Sequence, residues 1–124
     1  MQTAYPKIKN MSPLFVVTDL EQSINFYTQK LGFEIDFRCE DFYAGITRDG
    51  FSIHLKSGYP ANEERTSRRD DEHVDITFAV TDIHDLFEAI KSMQVIIIQT
   101  LRQMPYGSEF YITDPDGYIL SFLE

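Results

Sequence analysis

Cysteine, positive charge and long apolar runs are all scarce in this 124-residue sequence, and each shortage excludes a class of protein. The single cysteine, Cys39, cannot form an intrachain disulfide and suits a reducing compartment. The apolar run Val95 to Ile98 is far shorter than the about 20 residues that cross a membrane. Residues 1–10 show no apolar segment of a secretory signal. We therefore expect a cytoplasmic protein with no membrane partner.

Basic residues are outnumbered by acidic ones, 11 to 20, which gives a net charge of −9. Nucleic-acid partners require a positive field, so we expect no nucleic-acid partner. The basic cluster of Arg65, Arg68 and Arg69 is followed at once by three acidic residues, 70–72. An acidic surface is compatible with a cationic ligand, but more often it simply keeps a protein soluble.

The sequence contains an internal repeat. Residues 15–20 (FVVTDL) are matched 63 positions later by residues 78–83 (FAVTDI). Residues 49–54 (DGFSIH) are matched 67 positions later by residues 116–121 (DGYILS). Two matches in the same order predict two copies of one supersecondary unit, with a short insertion in the second. Where the two copies meet, a cavity can form.

One helix is predicted near the start of each copy. In the first copy, Thr18 and Glu21 fit a capping box, and Gly32 supplies a left-handed end. In the second copy, Asp82 is the candidate N-cap. The apolar positions follow helical spacing in both: Leu20, Ile24, Tyr27 and Leu31, then Ile83, Phe87 and Ile90.

Each copy reads as β-α-β-β-β. Strands are predicted at 14–17, 33–38, 42–48 and 51–56, and again at 76–80, 95–101, 107–113 and 118–123. Asp49-Gly50 and Asp116-Gly117 are hairpin turns that accept positive φ. The pattern predicts an α+β fold in which two tandem βαβββ modules form a curved mixed sheet around a cleft.

We expect a single domain over residues 1–124, with module one at 11–57, a linker at 58–72 and module two at 73–124. The linker is polar and long enough to be either a solvated connector or a lid over a site.

Alternation along the last strand of each copy shows which side chains share a face. His54 shares a face with Ser52, and Ser121 shares one with Ile119, while the opposite faces are apolar and must cover the helices. The more polar faces are suited to line a pocket.

Several segments together resemble the vicinal oxygen chelate superfamily, which includes glyoxalase I, extradiol dioxygenases, fosfomycin resistance enzymes and bleomycin resistance proteins. The resemblance covers residues 12–123. It rests on the segments 17–20, 26–27 and 31–33 in the first copy, and on 106–110 and 114–117 in the second.

In the metalloenzymes of this superfamily, the resemblance places metal ligands at Ser12, His54, Asp75 and Ser121. Serine hydroxyls are poor ligands for such metals, and catalytic sites usually use three protein ligands. We therefore expect no metal and no cofactor. Two alternatives stay open: a register slip would bring His73, Asp75 and His54 into a makeshift site, and His54 could instead be a hydrogen-bonded cavity or core residue.

Within the superfamily, the chain is most similar to the bleomycin resistance proteins, on residues 42–46, 53–55 and 105–110 running into 114–117. That resemblance implies a metal-independent protein that sequesters an aromatic or cationic ligand without changing it. It also implies a homodimer with the ligand cleft at the subunit interface. Tyr106 and Ser108 depart from the tryptophan and arginine that are common at those positions.

The ligand contacts expected on this basis are four aromatic and two polar side chains: Phe37, Phe42, Tyr43, Tyr106, His54 and Glu109. Aromatic side chains bury flat rings, and polar ones fix orientation. The offset of 67 makes Glu109 the counterpart of Phe42, so both should line the cleft or neither. A carboxylate there could pair with a cationic ligand. The aromatics could equally serve core or dimer packing, and Glu109 could be a surface carboxylate.

Three functions therefore remain open. The first is ligand binding without catalysis. The second is a metal-dependent lyase or dioxygenase of the glyoxalase type with a degenerate metal site. The third is a metal-independent enzyme that uses His54 as general base, with Asp75 or Glu109 nearby.

Overall fold

A computed structural model describes residues 5–59 and 73–124, so most of the predicted linker, with Arg65, Arg68 and Arg69, lies outside the described residues. Module one contains β1 (Leu14–Val17), α1 (Leu20–Leu31), β2 (Glu34–Cys39), β3 (Tyr43–Arg48) and β4 (Phe51–Ser57). Module two contains β5 (Ile76–Ala79), α2 (Ile83–Lys91), β6 (Ile97–Met104), β7 (Gly107–Thr113) and β8 (Ile119–Leu123). The α+β class and the two tandem βαβββ modules are confirmed.

The strands form two four-stranded mixed sheets of the same topology. Module one has the strand order β1-β4-β3-β2, and module two has β5-β8-β7-β6. The first strand of each module runs parallel to the last, and the other neighbours are antiparallel. The repeat in the sequence is therefore a repeat of sheet topology.

The N-terminus of α1 differs from the predicted capping box. Asp19, not Thr18, is the N-cap, and its carboxylate accepts from the Gln22 amide at 3.0 Å. A carboxylate in this position also interacts favourably with the positive end of the helix dipole. Thr18 is displaced from that role because its hydroxyl donates to Asp116 of module two at 2.8 Å.

The N-terminus of α2 is capped from the other end of the chain. Asp82 occupies the N-cap position, but its side chain makes no capping hydrogen bond. Instead the Glu124 carboxylate accepts from the amides of Asp82 and Ile83 at 3.1 and 3.0 Å. The sequence correctly located the N-cap residue, but it did not reveal that Glu124 supplies the acceptor.

The predicted turns form, with one difference between the modules. Asp49 and Gly50 both have positive φ, 53° and 85°, and connect β3 to β4 as a two-residue hairpin. In the second module only Gly117 has positive φ, 88°, and its amide donates to the Asp114 carbonyl. The connection from β7 to β8 is therefore a longer turn.

One apolar cluster includes buried residues of both modules. From module one it contains Ile24 and Leu55, and from module two it contains Phe110 and Leu120. The Phe33 and Phe78 rings meet across the two modules at 6.2 Å. The helices thus pack against the sheet of their own module.

A buried hydrogen bond between Tyr27 and Asp114 also connects the modules. The Tyr27 hydroxyl donates to Asp114 Oδ2 at 2.8 Å, and Asp114 Oδ1 accepts from the amides of Asp116 and Tyr118. Tyr27 is fully buried and Asp114 is 4% exposed. Burial raises the pKa of Asp114 to about 6, although its hydrogen bonds act in the opposite direction.

Module two also reaches back to the first strand. The Tyr118 hydroxyl donates to the Val16 carbonyl and accepts from the Val16 amide, at 2.9 and 3.0 Å. The Tyr118 ring stacks on Phe15 with 4.3 Å between centroids. These contacts fix the β7–β8 turn against module one.

Both helices within the described ranges, α1 with 12 residues and α2 with nine, are too short to cross a membrane, and none of that part of the chain qualifies as a membrane span.

Candidate functional site

The strand pairing corrects the predicted equivalence of Glu109 and Phe42. Gly45 pairs with His54 in module one, and Tyr111 pairs with Ser121 in module two. With His54 and Ser121 equivalent, the counterpart of Glu109 is Tyr43, one residue later than predicted. The cause of the difference is the longer turn between β7 and β8. The difference matters because a one-residue slip moves a side chain to the other face of a sheet.

Three rings meet on the face of module one that points away from α1. We call the group of Phe37, Tyr43 and His54 the aromatic face. The Phe37 and Tyr43 rings lie 15° from parallel at 6.0 Å, and His54 stands edge-on to Phe37 at 5.3 Å. Phe37 remains 39% exposed. Three of the six predicted ligand contacts are therefore brought together.

Gly45 makes room for this arrangement. A Cβ at Gly45 would lie 2.2 Å from Phe37 Cε1, far inside van der Waals contact. The Phe37 ring thus lies directly over the Gly45 backbone, where a side chain would otherwise stand.

A hydrogen bond orders the aromatic face. The Tyr43 hydroxyl and His54 Nδ1 are 2.9 Å apart, and the two rings are inclined at 75°. Both residues are half-buried, while the exposed Leu14 pairs with His54 on the neighbouring strand. His54 is therefore held by a polar partner at an open surface.

Phe42 lies in the turn between β2 and β3, and its side chain is 49% exposed. The ring contacts found in the described part of the chain do not join it to the aromatic face. Phe42 is adjacent to the group without belonging to it.

Two further predicted contacts, Tyr106 and Glu109, belong to a hydrogen-bonded network on module two. Arg102 Nη2 and Nε lie 2.7 and 2.8 Å from Glu109 Oε2. The hydroxyls of Tyr106 and Tyr111 donate to Glu109 at 2.7 and 3.1 Å. We call these four residues the Arg102 network. Sequence reasoning missed Arg102 and Tyr111.

The Arg102 network neutralises Glu109, which is only 3% exposed and so is not a surface carboxylate. Burial acts to raise the pKa of Glu109, but hydrogen bonds from Tyr106, Arg102 and Tyr111 outweigh it and lower the pKa. The bond to Glu109 raises the pKa of Tyr106 to about 12. The carboxylate is ionised and already paired, so a cationic ligand would have to displace Arg102.

The four positions that bind metal in related metalloenzymes do not form a donor set here. The hydroxyls of Ser12 and Ser52 hydrogen-bond to each other. The Asp75 carboxylate accepts from the Ile119 amide at 2.8 Å, and Ser121 is buried. Neither His73, Asp75 and His54 nor any other three His, Cys, Asp or Glu residues of the described ranges form a metal-binding group. The side chains at these four positions therefore do not fit the divalent metal ion of the related metalloenzymes.

A groove of about 430 Å³ runs along α1, and its lining includes Glu21, Phe26 and Pro115. No residue of the aromatic face or of the Arg102 network lines it. Its lining residues lie mainly on α1, so it is separate from the surface that the sequence predicted as the site.

Comparison with known proteins gives consistent matches over almost the whole chain. The family model described as the glyoxalase/bleomycin resistance protein/dioxygenase superfamily matches residues 11–122. A bleomycin resistance protein of Geobacillus stearothermophilus is 28% identical, covering 90% of this chain and 93% of its own. The metallothiol transferase FosB of Lysinibacillus sphaericus is 24% identical, covering 88% of this chain and 77% of its own.

Among solved structures, the bleomycin-binding protein of bleomycin-producing Streptomyces verticillus, complexed with copper(II)-bleomycin, superposes with a TM-score of 0.71. It is 23% identical, and the match covers 96% of this chain and 98% of that chain. At this identity the similarity establishes the common fold.

Proposed function

Because the chain belongs to the glyoxalase/bleomycin resistance protein/dioxygenase superfamily, we propose that it is a metal-independent small-molecule binding protein of the bleomycin-resistance kind. It sequesters an aromatic ligand without changing it. The observation that carries the proposal is the aromatic face, where Phe37, Tyr43 and His54 assemble beside a family metal position that lacks its ligands.

The aromatic face is suited to a flat ligand. Phe37 and Tyr43 present nearly parallel rings, and His54 adds a polar group at their edge. A ligand ring placed on them is stabilised by apolar burial and by stacking of about 1 kcal/mol per aromatic pair. The net charge of −9 favours ligands that carry a positive group, although Glu109 is already paired with Arg102.

A second copy of the chain completes the site in this proposal. Small-molecule pockets bury roughly 70–90% of their ligand, which one open sheet face does not do. Leu14 and Phe42 flank the aromatic face and are each 49% exposed, so apolar surface continues beyond it. A homodimer with the cleft at the subunit interface would cover this surface. The single cysteine suits the proposed cytoplasmic location.

The alternative is a metal-dependent lyase or dioxygenase, and the similarity to a metallothiol transferase is the observation in its favour. It requires ligands that Ser12 and Ser121 do not supply. The general-base alternative would be favoured by a carboxylate, Asp75 or Glu109, beside His54. Among the described hydrogen bonds, the partner of His54 Nδ1 is instead the hydroxyl of Tyr43.

Replacing His54 or Phe37 with alanine should weaken bleomycin binding about tenfold or more, because each change removes a ring from the ligand surface, a loss of about 1.4 kcal/mol or more. Copper(II)-bleomycin and metal-free bleomycin should be titrated calorimetrically into each purified variant.

The sequence offers a matched control for each variant. His84 is exposed on α2, and Phe51 is 77% exposed at the start of β4. Substituting either with alanine should leave the affinity within a factor of two of the original, an energy change of about 0.4 kcal/mol or less. Equal losses in the site variants and in the controls would remove the aromatic face from the binding site.

A further inference from the structure

The hydrogen bond between Tyr43 and His54 decides what the aromatic face can offer a ligand. A neutral imidazole carries one proton, so one of its nitrogens donates and the other accepts. His54 Nδ1 faces the Tyr43 hydroxyl at 2.9 Å. The direction of this bond therefore fixes the state of Nε2, the nitrogen left for other partners.

We infer that Tyr43 donates to Nδ1 and so holds His54 in the tautomer that carries its proton on Nε2. The described hydrogen bonds give the Tyr43 hydroxyl one partner, His54. If Nδ1 donated instead, the phenol proton would be left without a protein acceptor in a half-buried position. Donation by Tyr43 satisfies both groups at once, which makes Tyr43 a positioning residue for His54.

The neighbouring rings hold the imidazole in this orientation. His54 stands at 89° to Phe37 and at 75° to Tyr43, with centroids 5.3 and 5.5 Å away. A half-turn of the ring about Cβ–Cγ would keep these edge-to-face contacts, but it would put a carbon in place of Nδ1 and so break the bond to Tyr43. Nε2 therefore stays on the far side of the ring from Tyr43.

The consequence for the ligand is a requirement for a hydrogen-bond acceptor. The aromatic face presents two rings for stacking and one N–H donor beside them. The ligand class that fits is a planar aromatic ring system with an uncharged acceptor nitrogen or oxygen at its edge. This ligand assignment rests on the proposed function, whereas the tautomer of His54 does not.

Nitrogen NMR of protein with ¹⁵N-labelled histidine tests the tautomer directly, at about pH 8 where an ordinary imidazole is neutral. His73→Gln and His84→Gln assign the three histidine signals. We expect His54 Nδ1 at the shift of an unprotonated nitrogen and Nε2 at that of a protonated one, and Tyr43→Phe should move both toward a tautomer average. A proton on Nδ1, or spectra unchanged in Tyr43→Phe, would overturn the inference.

Quinoline and naphthalene then test the ligand requirement, because they share a shape and only quinoline has an acceptor. Naphthalene is the more apolar of the two, so the quantity to compare is the ratio of their affinities between proteins. The preference for quinoline should fall about three- to tenfold in His54→Ala, the equivalent of one hydrogen bond. It should fall about twofold in Tyr43→Phe, where about half of the imidazoles would still carry the proton on Nε2.

The outcomes separate the two proposals. The expected tautomer with an unchanged affinity ratio would overturn the ligand requirement and leave the proposed function standing. Failure of quinoline, naphthalene and bleomycin alike to bind the original protein would overturn the proposed function, and the ligand requirement with it. The tautomer would still be decided by the NMR shifts.

Discussion

Asp114→Ala should lower the free energy of unfolding at neutral pH by about 3 kcal/mol, because it leaves one buried and two half-buried donors without their acceptor. These are the hydroxyl of Tyr27 and the amides of Asp116 and Tyr118. The Tyr27 bond joins the two modules, so its loss also weakens their packing. Urea unfolding followed by circular dichroism measures the change.

Asp114→Asn tests the charge of the side chain separately, because asparagine has no charge but keeps an oxygen that accepts hydrogen bonds. Burial raises the pKa of Asp114 from 3.8 to about 6, so the protonated carboxyl stabilises the fold below 3.8, and this contribution is lost as the pH rises through about 6. The unfolding free energy of the original protein should therefore fall over this range relative to Asp114→Asn, by up to about 3 kcal/mol.

The control for these variants is Asp41→Ala, whose side chain is fully exposed and should change stability by about 0.5 kcal/mol or less. If Asp114→Ala were as mild as this control, Asp114 would not connect the modules. If the unfolding free energies of the original protein and of Asp114→Asn changed in parallel with pH, burial would not have shifted the pKa of the Asp114 carboxyl.

Arg102→Ala should cost about 2–3 kcal/mol, since it leaves the carboxylate of Glu109 buried without its counter-charge. The expected loss lies at the low end for a buried pair, because the Arg102 side chain is 29% exposed and water can partly replace it. Urea unfolding at neutral pH again measures the effect.

A second substitution tests this explanation of the loss. Arg102→Met combined with Glu109→Gln removes both charges, and it should recover at least half of the stability lost in Arg102→Ala, because no unpaired charge remains. Arg38→Ala is the matched control, since Arg38 is about as exposed as Arg102 but its partner Glu21 is 60% exposed, so their ion pair is worth about 0.5 kcal/mol. A double variant as unstable as Arg102→Ala would assign the loss to packing.

The element order, the helix end at Gly32 and the hairpin at Asp49-Gly50 were predictable from sequence because each depends on local backbone preferences. The grouping of Tyr43 and His54 was predictable from the residues that resemble the bleomycin resistance proteins. Their position on one face follows from the register in the structure, because Gly45 pairs with His54 and Tyr43 lies two residues from Gly45.

Other features depend on contacts that the local pattern does not contain. Tyr27 was predicted as an apolar core residue, and the partner of its hydroxyl lies 87 positions away. The cap of α2 comes from Glu124, 41 positions beyond Ile83. To recognise Glu109 as the counterpart of Tyr43, one must know the length of the β7–β8 turn. The repeat offset of 67 does not reveal that length.

Arg102 could have been found from the sequence with one further step. Once Pro105 and Tyr106 are taken as the tip of a hairpin, Met104 pairs with Gly107, and Arg102 falls opposite Glu109. Opposite charges at such a cross-strand pair stabilise each other. The carboxylate would then have been recognised as an internal ion-pair partner.

The measurement that tests the proposed function most directly is calorimetric titration of metal-free bleomycin into chelator-treated protein, repeated after addition of zinc, nickel, manganese or iron(II). We predict one binding site per subunit without metal, unchanged by any of the four ions, and no binding of the ions themselves at micromolar concentration. Binding of one metal ion per subunit, with bleomycin retained only in its presence, would contradict the account and favour a metal-dependent enzyme.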